Sequence, residues 1–148
     1  MIRKLTEKDR DLYIEMAKEF YSSDAVLHPI PENYFVRTVD EALRSDRYAE
    51  IFLFDWEGEA AGYALTAKTF SQEAGGPVWW IEEIYIREQF RSKGLGRAFF
   101  DYIHREKGNE AARFRLEVEE DNKRAIALYE KLGYEVLDYA QMVRDRRE

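Results

Sequence analysis

Apolar and polar positions recur along this chain in two rhythms, and the switches between them mark its elements. Ile2 to Leu5 has the make-up of a short strand. Thr6 followed by Asp9 then has the form of a capping box, opening a helix that runs to about Tyr21. Leu12, Met16 and Phe20 recur every four residues and predict its buried stripe, with Tyr13 and Ala17 beside them. Ser22 to Pro31 breaks that rhythm. Pro31, with Phe35, Thr38, Val39, Ala42 and Leu43 at helical spacing, predicts a second helix.

From there the period shortens. Tyr48 to Trp56 and Ala60 to Phe70 are β-favouring runs separated by Glu57-Gly58-Glu59, as in a hairpin. After Gly75-Gly76-Pro77 comes Val78 to Ile86, VWWIEEIYI, a strand interrupted by two carboxylates. Leu95, Ala98, Phe99, Tyr102 and Ile103 trace one face of a helix that begins around Gly94 and ends at a C-cap, Gly108. Phe114 to Val118 reads as a strand. Asn122 then caps a helix carrying Ala125, Leu128, Tyr129 and Leu132 on one side, closed by Gly133. Tyr134 to Leu137 and Tyr139 to Val143 predict two last short strands. The order β-α-α-β-β-β-α-β-α-β-β is that of a mixed α/β fold, and with neither linker nor repeat, residues 1–148 are expected to form a single domain.

Composition narrows the chemistry. There is no cysteine, which excludes disulfides, thiolate metal sites and a cysteine nucleophile. His28 and His104 stand apart from any ligand-spaced partner, so no metal is expected. Met1 to Arg10 lacks the apolar run of a secretory signal or membrane span, which points to a cytoplasmic protein without membrane contact. A net charge of −7 disfavours nucleic acid as a partner and suits a cationic small molecule, although acidity also serves solubility. A homodimer is compatible with all of this.

Between Ile86 and the helix near Gly94 lies REQFRSKGLG. A strand, a turn with two glycines and a helix N-terminus aim several backbone N–H groups and a positive dipole end at one point, which suits a pyrophosphate. A Cβ at the glycines would keep a bulky anion from the backbone, while Arg91 and Lys93 add positive charge. The spacing is not that of a Walker loop, and Phe99 stands where a dinucleotide fingerprint needs a small residue. Taken alone, Gly94 and Gly96 could simply permit a tight turn.

RSKGLG, preceded by VWWIEEIYI and followed downstream by NKRAIALYEKLGYEV, resembles the GNAT superfamily of acyl-CoA N-acyltransferases. The match is specific over Ile81 to Val136. The WEGEAAGYAL hairpin and the element order agree with it, and Tyr134 replaces the family's usual Phe. The resemblance implies a mixed central sheet flanked by helices, acetyl-CoA as co-substrate and transfer of its acetyl group to an amine. It implies that Arg91, Ser92, Lys93, Gly94, Leu95 and Gly96 hold the pyrophosphate, that Ile84, Tyr85 and Ile86 lie beside the acetyl and pantetheine portion, and that Asn122 contacts the cofactor as well as capping its helix. Tyr129 matches the family's catalytic tyrosine, a general acid toward the CoA sulfur. Glu82 falls where spermidine/spermine-type members carry a proposed general base.

Each role has a plainer counterpart. Tyr129 on an apolar helical face also suits a core, and Trp79, Trp80 and Tyr85 suit a core as well as an acceptor wall. Adjacent strand residues point to opposite faces, so only one of Glu82 and Glu83 is expected to face the substrate unless a bulge redirects them. The acceptor, polyamine-like or aminoglycoside-like, is the least legible part, because the segment from Phe20 to Tyr34 is the least family-like. A non-catalytic acyl-CoA-binding module and a protein lysine or N-terminal acetyltransferase remain alternatives.

Overall fold

The first helix opens where its sequence signal lies. The Asp9 carboxylate accepts hydrogen bonds from the Thr6 backbone N–H at 2.8 Å and the Thr6 hydroxyl at 2.9 Å. Arg3 donates two more, and these bonds, against the cost of burial, hold Asp9 down to about 2 from an ordinary value of 3.8. In the computed structural model, which describes residues 1–146, β1 spans Ile2–Lys4, α1 Arg10–Tyr21 and α2 Glu32–Arg44. There follow β2 at Ala49–Trp56, β3 at Glu59–Ser71, β4 at Gly76–Ile86, α3 at Leu95–Lys107, β5 at Arg113–Leu116 and α4 at Lys123–Lys131. The chain divides into two compact units, Met1–Leu116 and a second that starts at Glu117.

Within the first unit the five strands form one sheet in the order β1-β2-β3-β4-β5. The first four run antiparallel, joined between β2 and β3 by a tight turn with Glu57 at φ 50 and Gly58 at φ 80, as a right-twisted hairpin requires. The β4–β5 pair is parallel, from Val78 opposite Arg113 to Ile81 opposite Leu116. Strand alternation gives the sheet two apolar faces. Ile51, Leu53, Tyr63 and Tyr85 pack with Tyr13, Met16 and Ala17 of α1 and Phe35 and Val39 of α2. On the other face Phe52 and Phe54 meet Phe99 of α3, with ring centroids 5.9 and 5.6 Å apart. Each fully buried side chain of this size contributes about 1.5–3 kcal/mol, so the two helical layers clamp the sheet between them.

Four details differ from the sequence reading. The α1 stripe is centred on Tyr13, Met16 and Ala17, with Leu12 and Phe20 at its margins. In α3, Phe100 is buried while Ala98 is exposed, because a large ring gains more than a methyl group from facing the sheet. Gly108 sits at φ −60 and so does not close α3 with a left-handed turn. The strands expected at Tyr134 to Leu137 and Tyr139 to Val143 are not formed. No strand pairs with them among the described residues, and Val136, Tyr139, Met142 and Val143 are exposed, whereas a β segment is stabilised only by a neighbour's ladder and a covered face.

Candidate active site

The site begins with a strand that outruns its neighbour. β5 pairs with β4 only as far as Ile81, so among the described residues Glu82 to Ile86 continues with no strand paired on that side, here called the free edge. Arg87 N–H donates to Ala61 O at 2.8 Å on the β3 side. By alternation the amides of Tyr85 also turn toward β3, and those of Ile84 and Ile86 turn to the free edge. Gly62 lets β3 approach this closely, since a Cβ there would stand 2.0 Å from Tyr85 O. A cleft of about 270 Å³ lies along this stretch, lined by Ile84, Tyr85, Ile86 and Arg91 on one side and by Phe20, Ser23 and Ala25 on the other.

The carboxylates lie on a β-bulge. In the β3–β4 register Leu65 is opposite Glu83 and Thr66 is opposite Ile81, leaving Glu82 as the extra residue. The insertion changes which way the side chains point. Glu83, across from Leu65, faces α1 and α2, where its carboxylate accepts from Tyr63 Oη at 2.7 Å and Tyr21 Oη at 2.5 Å. Glu82 is exposed, and its charge adds a small part to the upward shift of the Tyr21 hydroxyl. The bulge is the irregularity that the sequence reading allowed for, and Glu83 is the carboxylate it brings to the phenols of α1 and β3. Burial first, and then the Glu83 charge, push the Tyr13 and Tyr63 hydroxyls far above the ordinary phenol value. Burial and the Glu83 hydrogen bond do the same for Tyr21, so all three remain protonated donors.

At the other end of the free edge the chain turns through Glu88–Phe90 into α3. Phe90, buried, anchors this turn, and Arg91 Nε donates to Ile86 O at 3.0 Å. Ser92 at φ 63 and Gly94 at φ 79 are both left-handed, a conformation that costs a side-chain-bearing residue about 1–2 kcal/mol. The first α3 bond runs from Ala98 N–H to Gly94 O at 2.9 Å, so the amides of Leu95, Gly96 and Arg97 precede the ladder and point out of the helix end. Space above the loop is open. Among the described residues beyond its chain neighbours, no atom lies within 4 Å of where a Gly94 Cβ would stand, and a Gly96 Cβ would meet Ile86 Cδ1 at 3.8 Å. Arg91 is exposed, and Lys93 Nζ lies 5.4 Å from the Trp56 ring centroid. Outward amides, open glycines and two cations fit a pyrophosphate.

Trp79 and Trp80 are otherwise engaged. Trp79 is buried, and the Arg115 guanidinium stacks 4.1 Å from the Trp80 ring centroid. In the second unit Asn122 caps α4, its Oδ1 accepting from Ala125 N–H at 3.2 Å. Gly133, at φ 93, ends that helix. Tyr129 packs near Tyr134, with ring centroids 6.1 Å apart, and burial raises its hydroxyl above the ordinary value. Among the described residues no group of three or more His, Asp or Glu is placed to hold a metal ion, and no helix is long and apolar enough to cross a membrane.

The model of the Acetyltransferase (GNAT) family matches residues 11–134. The chain belongs to that family. Thialysine N-epsilon-acetyltransferase of Mus musculus is 29% identical over 146 residues, an alignment covering 89% of this chain and 82% of the relative. The structure described as "a possible acetyltransferase from Clostridium difficile 630" superposes with a TM-score of 0.85 at 21% identity, covering 100% of this chain and 98% of that one. An aminoglycoside N-acetyltransferase in complex with CoA superposes at a TM-score of 0.78 with 18% identity, over 99% and 95% of the two chains. This GNAT member is therefore an acyltransferase enzyme of the N-acetyltransferase class, built on the mixed α/β fold of a family that uses acetyl-CoA.

Residues that the sequence did not single out also shape the site of this GNAT protein. Tyr21, Tyr63, Glu19 and Arg87 come from three separate elements and converge only in the fold. One signal pointed their way: two adjacent carboxylates inside an otherwise apolar strand, the mark of a bulge or of side chains waiting for partners.

Proposed function

We propose that this chain transfers the acetyl group of acetyl-CoA to a primary amine by direct attack, and that the acceptor is a cationic small molecule. The observation that carries this reading is the bulge, which sets an exposed Glu82 beside the phenol-bound Glu83 on the strand that leads to the phosphate loop. Acetyl-CoA supplies an activated thioester carbonyl. Arg91, Ser92, Lys93, Gly94, Leu95 and Gly96 bind its pyrophosphate through backbone amides and charge. The free-edge amides at Ile84 and Ile86 orient the arm and polarise the carbonyl, and Tyr85 backs them from the cleft wall. Glu82, exposed and acidic, attracts the ammonium form of the acceptor and takes up the proton that must leave before attack, directly or through water.

Tyr129 and Asn122 enter this reading through their motif alone. A phenol kept protonated by burial suits the role of proton donor to the departing sulfur, and Asn122 combines its cap with a cofactor contact. We also infer that both units serve one functional domain, since the family match runs through both. The relative named for thialysine acetylation favours a small amine over a protein side chain.

An acetyl-CoA-dependent thiol-release screen tests the reading across thialysine, polyamines, amino acids, aminoglycosides and peptides, with the mass gain of one acetyl group as confirmation. Turnover on a cationic small amine is the expected result. Turnover on peptides alone would move the chain to the protein-directed class, and acetyl-CoA binding with no turnover on any acceptor would leave it a binding module.

A further inference from the structure

The C-terminal turn of α1 is tied to β4 twice, and the two ties run in opposite directions. α1 offers a phenol, Tyr21, to a β4 carboxylate, Glu83, at 2.5 Å. β4 and the residue after it offer a phenol and a guanidinium to an α1 carboxylate. Tyr85 Oη donates to Glu19 Oε1 at 2.9 Å, Arg87 Nε to the same oxygen at 3.1 Å, and Arg87 Nη2 to Glu19 Oε2 at 2.8 Å. Arg87 also reaches Ala60 O at 3.3 Å and lies 3.7 Å from Glu15, so the guanidinium is bracketed from β3 and from two turns of α1. Its side chain is only 18% exposed. Burial opposes the charge on Glu19, and the hydrogen bonds from Arg87 and Tyr85 more than offset it, holding the carboxyl below its ordinary value.

What these ties hold in place is one wall of the cleft. Phe20 follows Glu19, stacks on Tyr85 at 5.5 Å between centroids and lines the cleft opposite Ile84 and Ile86. A surface ion pair alone is worth little, but this one is bidentate, half-buried and shared with a phenol. We propose that Glu19 and Arg87 are a positioning pair: without touching the donor, they fix the end of α1 across β4 and so set the width of the cleft that takes the pantetheine arm. The proposal rests on the reading of that cleft as the path of the acetyl-CoA thioester.

Calorimetry tests it without any knowledge of the acceptor, using acetyl-CoA and, as a second probe, ADP, which carries the pyrophosphate without the arm. Glu19→Gln and Arg87→Gln are each expected to weaken acetyl-CoA binding roughly tenfold, the effect of a charge-assisted bond, and to leave ADP binding unchanged. The double variant Glu19→Gln/Arg87→Gln should lose no more than either single change, and the swap Glu19→Arg/Arg87→Glu should recover part of the loss. Parental acetyl-CoA affinity in a folded Glu19→Gln protein overturns the proposal, and so does equal weakening of both probes. Should Arg87 variants fail to fold, Glu19→Gln decides alone, since its side chain lies nearer solvent. A parent protein that binds ADP but not acetyl-CoA overturns the underlying reading of the cleft instead, a result separable from the others.

Discussion

The free edge of β4 ends differently in its two directions. Toward α3 the chemistry is in the backbone: left-handed Ser92 and Gly94, the amides ahead of the α3 ladder, and room where side chains are missing. Toward the bulge it is in side chains, with Glu83 gripped by phenols from α1 and β3 and Glu82 as the inserted residue. A backbone site must be encoded in consecutive residues, because conformation is local. A side-chain site can be assembled from anywhere the sheet brings together. On the proposed reading the first is a donor site that many acceptor chemistries can share, and the second can change without disturbing it.

The largest expected effect comes from filling the backbone end. Gly96→Val adds methyl groups where the free protein has space, a new Cβ meeting Ile86 Cδ1 at 3.8 Å, an ordinary contact. Folding should be nearly preserved, while acetyl-CoA affinity falls by about 100-fold or more because the side chain occupies pyrophosphate space. Gly94 is a poorer test, since its φ of 79 makes any substitution there strain the loop itself. Parental affinity in a folded Gly96→Val protein would place the pyrophosphate elsewhere and remove the contrast between the two ends.

Tyr129→Phe comes next. A hydroxyl that acts in the transition state should, when removed, lower turnover by roughly 100-fold and leave the acetyl-CoA dissociation constant nearly unchanged. Steady-state kinetics with a burst-phase check on the rate-limiting step reads both quantities. Unchanged turnover with chemistry limiting would return Tyr129 to the apolar side of α4.

These two tests fall on the parts most legible in the sequence. RSKGLG and NKRAIALYEKLGYEV are contiguous, and the turn and cap chemistry that makes them work lies within a few residues, so the loop, the Asn122 cap and the closing Gly133 could all be read directly. Strand order was legible for the same reason, from runs bounded by Glu57-Gly58 and Gly75-Gly76-Pro77. The orientation of Glu82 and Glu83 was not, because it depends on how β3 registers against β4, a long-range property with no local signal. Nor was the Glu19–Arg87 tie, which joins residues far apart in sequence. The absent strands after Gly133 show the reverse error: β-favouring composition is not a strand until a neighbour completes its hydrogen bonds.

At the bulge, the comparison sharpens into a contrast between adjacent residues. Glu82→Gln should lower turnover by about tenfold, with thermal stability unchanged, because its carboxylate is exposed and the role proposed for it is proton uptake and attraction of a cation. Glu83→Gln should instead cost stability, about 1–3 kcal/mol, since an amide satisfies two phenol donors, Tyr63 buried and Tyr21 half-buried, less well than a carboxylate. Denaturant melts and turnover measured on both variants separate the two effects. If Glu83→Gln proves fully stable and catalytically dead, the division of labour on the bulge is reversed.

The smallest expected effect lies at Asn122, where a cap and a cofactor contact are assigned to one side chain. Its Oδ1 accepts from Ala125 N–H, so Asn122→Ala should destabilise α4 by about 1 kcal/mol through loss of the cap alone. Asn122→Asp keeps an oxygen in the same position and adds a negative charge at a helix N-terminus, so the cap and the stability should be retained. The two variants therefore divide the roles. If Asn122 meets the donor as the motif implies, the aspartate repels a polyanion that the alanine merely fails to contact, and acetyl-CoA affinity should fall further in Asn122→Asp than in Asn122→Ala despite the better cap. Equal and parental affinity in both would leave Asn122 a cap alone, and the cofactor role carried by its motif would then rest on the loop of the first unit.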